Sequence, residues 1–157
     1  MFPGKSRAFT LVEILIVVII LGILAAIIMP SLAKAGEEAA ISATYTDLQK
    51  LRRAVGVYRA RYGELPPITE GDATGIDDGS GPWGPLVDVM DDEGKPGQFF
   101  KQAPVNSYMG GPNARRVGFA SGPDIQWQEE VGWLYNPDNG EVYAGCFDAN
   151  DKPIPRP

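Results

Sequence analysis

The sequence predicts an α+β fold in which one long N-terminal α-helix packs on a small antiparallel β-sheet. Three patterns support this fold class: an apolar run from Phe9 to Met29, apolar residues at helical spacing from Leu48 to Tyr62, and two alternating segments around a turn near Pro137. Helices repeat about every 3.6 residues and strands every second residue, so these periods separate the two kinds of element.

The apolar run that starts the helix is long enough to span a membrane. From Phe9 to Met29 only Thr10 and Glu13 are polar. A helix of this length extends roughly 31 Å, about the thickness of the hydrocarbon core of a bilayer. A short basic leader, residues 1–8, precedes the run. The positive-inside rule keeps such a leader in the cytoplasm, so the rest of the chain is expected to be exported.

Glu13 is the one charged residue inside the apolar run. A carboxylate in lipid is costly unless it is paired, so its presence needs an explanation. In one interpretation Glu13 lies near the helix end and reaches the interface. In the other a cation meets it, because cleavage between Ala8 and Phe9 would create an amino group about one helical turn before Glu13. That amine could belong to the same chain or to a neighbour.

The segment Arg7-Ala8-Phe9-Thr10-Leu11-Val12-Glu13-Ile14-Leu15 resembles the prepilin cleavage and methylation motif of type IV pilins and type II secretion pseudopilins. The resemblance implies that a prepilin peptidase cuts between Ala8 and Phe9 and methylates the Phe9 amine. It also implies that Glu13 registers subunits during assembly. The family usually has glycine before the cut, whereas this chain has Ala8, another small residue.

Glycine and proline occur within the predicted helix where such helices often carry them, at Gly22 and Pro30. Two interpretations of Pro30 stay open: it marks the end of the membrane span, or the helix bends or locally melts there during filament packing, as the family implies. The predicted organisation is a leader over residues 1–8, a transmembrane and filament-core helix over 9–30, an amphipathic spine over 31–63, and a domain over 64–157.

The spine has one apolar face, since its apolar residues recur every three or four positions. Gly63 is expected to end the helix, because Pro66 and Pro67 follow it. This segment also resembles the end of the pseudopilin helix. The face consists of Leu48, Leu51, Val55, Tyr58 and Tyr62.

The C-terminal domain is predicted to be an irregular loop followed by strands. Glycine and proline are frequent from Gly71 to Pro85, which favours a loop. Residues 131–136 and 141–146 alternate around a turn at 137–140 and predict a β-hairpin with Trp133 and Tyr135 on one face and Leu134 on the other. This apolar face is expected to pack on the spine. Residues 117–120 are a candidate third strand.

Composition excludes several functional classes. The formal charge of −6 gives an exported domain no electrostatic attraction for nucleic acid. The chain has no histidine, so a histidine-dependent catalytic triad is absent, and no phosphate-binding glycine loop is found. We therefore expect no enzyme activity. Cys146 is the single cysteine, which excludes an internal disulfide and favours a small buried side chain over a reactive thiol.

No cofactor is required by the sequence, but the resemblance makes calcium a candidate, because major pseudopilins use calcium where many pilins use a disulfide. Asp124, in a segment similar to the family's Asp-Ile-x-x-Trp, is the first ligand candidate. Asp148 and Asp151 are weaker candidates.

The resemblance implies a subunit of a type II secretion pseudopilus that helps to drive protein export. Its implied partners are other copies of itself, prepilin peptidase, minor pseudopilins, the inner-membrane assembly platform and membrane lipid. The implied location is the bacterial inner membrane, crossed once with the C-terminal domain exported, and then a periplasmic or surface filament. Two alternatives stay open: a type IV or competence pilus subunit for adhesion or DNA uptake, and a single-span anchored binding protein that never polymerises.

Overall fold

A computed structural model of the chain describes residues 9–73, 81–87 and 103–157. The predicted leader, including Ala8, lies outside these residues. The chain divides into two compact units, Met1–Glu38 and Ala39–Pro157. The predicted α+β arrangement is confirmed, with a long helix preceding a small sheet. In chain order the elements are helix α1 (Leu11–Tyr62), a helical turn α2 (Gly84–Val87), and strands β1 (Val117–Phe119), β2 (Trp133–Tyr135) and β3 (Val142–Ala144).

Helix α1 continues through position 30 to Tyr62, so neither Gly22 nor Pro30 ends it. A bend at either position stays a prediction. The helix stops where the sequence indicates, at Gly63. The amide of Gly63 donates to the carbonyl of Arg59 at 2.9 Å, and its φ of 77° is in the left-handed region that glycine adopts without steric cost.

Within the first unit, the apolar side chains of α1 are exposed on all sides. Ile14, for example, is 52% exposed, and its neighbours along the run are similarly exposed. By length and composition this stretch of the helix can cross a membrane. A helix that is apolar around its whole circumference needs an apolar environment, which is either lipid or other helices.

Within the second unit, the predicted apolar face of α1 lies in the core, with one exception. Leu48, Leu51 and Val55 are buried, and Tyr58 packs against the core from a half-buried position. Tyr62 was expected in this face, but it is 39% exposed. Tyr62 is in the last helical turn, and its ring lies 4.6 Å from the ring of Tyr58, centroid to centroid, at the margin of the core.

The sheet has the strand order β1-β2-β3. The predicted hairpin is confirmed, since β2 and β3 pair antiparallel with Trp133 opposite Ala144. The predicted third strand is also present as β1. However, β1 pairs with β2 in parallel, with Val117 opposite Trp133. The expectation of a wholly antiparallel sheet is therefore wrong, and the sheet is mixed. The loop over residues 120–132 is long enough to return the chain to the end of the sheet where β1 begins.

The predicted loop from Gly71 to Pro85 is described in part, because residues 74–80 lie outside the described ranges. Gly71 forms an isolated antiparallel bridge with Val117 at the edge of the sheet. The end of the segment departs from the prediction, since Gly84 begins the helical turn α2.

A buried polar cluster joins α1 to the sheet region. The amide of Asn106 donates to the carbonyls of Gly132 and Gly145 at 2.9 and 2.8 Å. Its carbonyl oxygen accepts from the backbone of Met109 at 2.9 Å and lies 3.3 Å from the hydroxyl of Thr44. Asn106 and Thr44 are fully buried. A buried amide is stable because its polar atoms find partners, so this cluster positions α1 against the open end of the hairpin, where Gly132 and Gly145 face each other.

Candidate functional site

The first turn of α1 contains a capping box formed by Thr10 and Glu13. The backbone amide of Glu13 donates to the Thr10 hydroxyl oxygen at 3.2 Å, and the backbone amide of Thr10 donates to Oε2 of Glu13 at 2.9 Å. The Thr10 hydroxyl also donates to Oε2 at 2.9 Å. Thr10 is thus the N-cap residue, and its side chain and that of Glu13 satisfy amides that would otherwise have no partner in the helix.

The capping box places the Glu13 carboxylate beside the predicted cleavage point. Phe9, which would become the N-terminal residue, directly precedes the N-cap and is 78% exposed. Only Oε2 of Glu13 takes part in the cap, and Oε1 has no hydrogen-bond partner within residues 9–73, 81–87 and 103–157. The carboxylate can therefore maintain the cap and accept a further cation through Oε1.

Thr10 is the residue that reasoning from the motif overlooked. The spacing Thr-x-x-Glu before an apolar run is a recognisable capping signature, so the sequence contained the signal. Its consequence is a third explanation for Glu13, namely that the carboxylate stabilises the start of its own helix.

Among the calcium candidates, Asp124 is engaged by protein groups. Its Oδ2 accepts from the backbone amide of Cys146 at 2.8 Å and from the side-chain amide of Gln128 at 2.9 Å. These bonds tie the loop before β2 to the turn that follows β3. Asp124 therefore has a structural role.

The other two candidates lie in one turn, but their carboxylates are engaged by different groups. Asp148 accepts from the backbone amides of Lys152 and Asn150, and these hydrogen bonds lower the pKa of its carboxyl. Asp151 forms a bidentate ion pair with Arg52 at 2.5 and 2.8 Å, and this hydrogen bonding raises the pKa of Arg52. In the part of the chain that the structure describes, no group of three or more acidic, histidine or cysteine side chains could hold a metal ion. These three carboxylates do not fit a shared calcium site.

Cys146 is buried, as predicted. Burial raises the pKa of its thiol, and Sγ lies 2.8 Å from the carbonyl oxygen of Gln128. Its φ of 65° is in the left-handed region, which is unusual for a residue other than glycine, and the sequence did not predict it. The thiol is protonated near neutral pH and packs as part of the core.

Comparisons with known proteins agree with the N-terminal motif. Residues 3–29 match the prokaryotic N-terminal methylation motif. The chain is 34% identical over 67 residues to type II secretion system core protein G of Klebsiella pneumoniae, which covers 43% of this chain and 48% of that protein. The protein of the same name from Vibrio cholerae serotype O1 is 36% identical over 67 residues, covering 43% and 46%.

The chain spans about half the length of the curated relatives it matches. No solved structure gives a significant match. The resemblance to prepilin-type proteins and pseudopilins that the motif indicated is confirmed by the family match and by these relatives.

Proposed function

We propose that this chain is a structural, non-catalytic subunit of a pseudopilus in a type II secretion system. The observation that carries the proposal is the order of features at the N-terminus: a methylation motif over residues 3–29 leads directly into a helix that is apolar on every side. Such a helix can reside in lipid as a monomer and in a helical bundle as a filament subunit.

In this proposal, prepilin peptidase cuts between Ala8 and Phe9 and methylates the new amine. The capped helix begins after the cut, because Thr10 is the N-cap and Leu11 the first helical residue. Cleavage therefore leaves α1 intact and places a cationic amine beside its first turn. Retention of the apolar run distinguishes this processing from removal of an ordinary secretory signal.

Before assembly, the processed subunit is proposed to remain in the bacterial inner membrane with Ala39–Pro157 on the exported side. An assembly platform and minor pseudopilins in that membrane would then bring subunits together. Moving α1 from lipid into a bundle exchanges one apolar environment for another, so packing and polar contacts must favour the bundle. Glu13 can supply such a polar contact.

The proposed contact joins Glu13 of one subunit to the Phe9 amine of a neighbour. Within its own helix, Oε2 of Glu13 accepts the two capping hydrogen bonds. These bonds partly replace the hydrogen bonds to water that the carboxylate loses in lipid. Oε1 is directed to no protein group among the described residues and suits a charged hydrogen bond from the amine. Two roles of one carboxylate, capping and registration, can be separated by substitution.

Glu13→Gln separates them, because glutamine can preserve the cap but carries no charge. We expect Glu13→Gln to be inserted and cleaved normally and yet to fail to build filaments or support secretion. Thr10→Ala is the matched variant: it removes the capping hydroxyl and leaves the charge, so filaments should persist. Glu13→Leu removes both functions and should behave like Glu13→Gln.

The measurements are electron microscopy of filaments and secretion from a strain that lacks the native subunit, with immunoblots for cleavage. Filaments and secretion at wild-type level in Glu13→Gln would contradict registration by charge and leave capping as the role of Glu13. Secretion that is unaffected by deleting the whole chain would contradict the secretion function, and a loss of adhesion or DNA uptake instead would identify a pilus subunit.

A further inference from the structure

Beside β1 the second unit has a groove of about 510 Å³ with an exposed apolar lining. Ile125 is 95% exposed and Phe119 is 43% exposed. Three carboxylates, those of Glu70, Asp124 and Glu130, line the same groove. We call these five residues the acidic groove. Exposed apolar side chains that share a groove and are rimmed by polar residues are typical of a contact site.

Within the part of the chain that the structure describes, no cationic side chain forms an ion pair with the acidic groove. Glu70 accepts from the backbone amide of Phe119, and Asp124 accepts from backbone and amide donors, so their hydrogen-bond partners are uncharged. Over residues 9–73, 81–87 and 103–157, the ion pairs are Lys50 with Asp47 and Arg52 with Asp151. None involves the groove, which therefore suits a cationic partner.

A surface of opposite charge lies on α1 in the same unit. Lys50, Arg53, Val57 and Arg61 are spaced by three or four residues, so they form one stripe along the helix. All four are exposed, and Val57 is 43% exposed. We call these residues the basic stripe. It is about 16 Å long at the helical rise.

The basic stripe is similar to the acidic groove in combining apolar and charged side chains, but its charges are of opposite sign. It presents an exposed apolar side chain, Val57, between cationic groups. Within the described part of the chain, Arg53 and Arg61 have no ion-pair partner. The stripe lies outside the face that carries Leu51 and Val55, which are in the core, and its residues are exposed, so a second chain can reach it.

We propose that the acidic groove of one subunit binds the basic stripe of a second copy of this chain. Ile125 and Phe119 would contact Val57, while the groove carboxylates would meet Arg53 and Arg61. Charge complementarity of this kind also fixes register and suppresses wrong partners. The inference rests on the proposed function, to which it adds a contact between the exported units.

The proposed contact joins two different surfaces, so it is heterologous. When two subunits bind in this way, the subunit that contributes its acidic groove keeps a free basic stripe. The subunit that contributes its basic stripe keeps a free acidic groove. Repetition of such a contact gives an open helical assembly unless the rotation happens to close a ring. A filament requires this geometry, whereas a symmetric dimer would use one surface twice and stop.

The test is cysteine cross-linking of the full chain in membranes. Two differently tagged chains, one with Ile125→Cys and one with Val57→Cys, are co-expressed and treated with a short bismaleimide. We expect a dimer that carries both tags, no dimer from either chain alone, and a ladder when one chain carries both substitutions. The unsubstituted chain controls for Cys146, which is buried. Asp138→Cys, exposed on the hairpin turn, replaces Ile125→Cys as the matched control and should give no dimer.

Charge reversal then tests specificity. Arg53→Glu with Arg61→Glu should reduce the cross-linked yield about tenfold, since like charges would face each other. Glu70→Lys with Glu130→Lys should reduce the cross-linked yield by a similar factor. Combining the four changes should restore most of the yield, because opposite charges would again face each other.

The outcomes distinguish the two proposals. Filaments that form normally without a cross-link between positions 125 and 57 would overturn the groove contact and leave the pseudopilus proposal intact. A cross-linked ladder in a strain whose secretion does not need the chain would support the contact and contradict the secretion role. Cross-linking of Ile125→Cys to a different protein only, or reversal variants that do not rescue each other, would also overturn the contact.

Discussion

Asn106→Ala should destabilise the second unit more than any exposed substitution, because Asn106 is the centre of its buried polar cluster. The change leaves the amide of Met109 and the carbonyl of Gly145 without a partner, whereas the carbonyl of Gly132 still accepts from the amide of Gly145 at 2.9 Å. A buried polar group that loses its hydrogen bond costs about 1–3 kcal/mol. The Thr44 hydroxyl keeps its bond to the carbonyl of Ala40, so it adds little. We expect a loss of about 3–5 kcal/mol, a large part of the stability of a small domain.

The assay is urea unfolding of a chain that begins at Gly36, and tryptophan fluorescence reports the fraction unfolded. This chain lacks the apolar run and keeps the core face of α1, so we expect it to be soluble and monomeric. Asn113→Ala is the matched control: its side chain donates one hydrogen bond, to the carbonyl of Glu129, at a half-buried position. The control should lose less than about 1 kcal/mol. An equally small loss in Asn106→Ala would refute the reasoning and indicate that water replaces the amide.

Three further predictions concern processing, the C-terminal segment and calcium. Intact mass spectrometry of membrane-purified protein should give a methylated N-terminus at Phe9; retained Met1, or a start beyond Met29, would contradict the cleavage site. Asp151→Asn suits the left-handed backbone at that position, where φ is 56°, but breaks the ion pair with Arg52. Its unfolding free energy should fall by about 1–2 kcal/mol, with Asp138→Asn unchanged as the control. Chelation should leave the Tm of the Gly36 chain unchanged, because Asp124, Asp148 and Asp151 are held by protein groups. A fall of several degrees would restore the calcium hypothesis.

Local patterns predicted the elements that depend on local chemistry. Gly63 ends α1 because a left-handed residue there is a local requirement, and the hairpin forms because its turn and alternation lie within one short segment. The direction of β1 was not predictable in the same way. The sequence of a three-residue strand does not indicate which strand it pairs with or in which direction. The parallel pairing of β1 depends on the loop that returns the chain from Phe119 to Trp133.

The buried polar residues were also not predictable from local patterns. Thr44 and Asn106 are polar types that usually lie at the surface, and they are buried here only because partners distant in sequence satisfy them. At the N-terminus the situation differs. Phe9 and Glu13 were predicted from the motif, and the capping role of Thr10 could have been predicted from the Thr-x-x-Glu spacing, since it involves neighbours within one helical turn.

The core of the second unit is assembled from residues near both ends of its sequence, which has a consequence for the timing of folding. Arg52 meets Asp151 across 99 positions of the chain, and Leu51 shares its core with Phe147. Contacts of such high sequence separation form late, after the intervening chain is available. In the proposed topology, α1 enters the membrane first and the strands cross last. Translocation and folding are therefore consecutive steps, and a chain that stops after Gly140 would leave the exported half of α1 without β3, and so without a complete sheet to pack on.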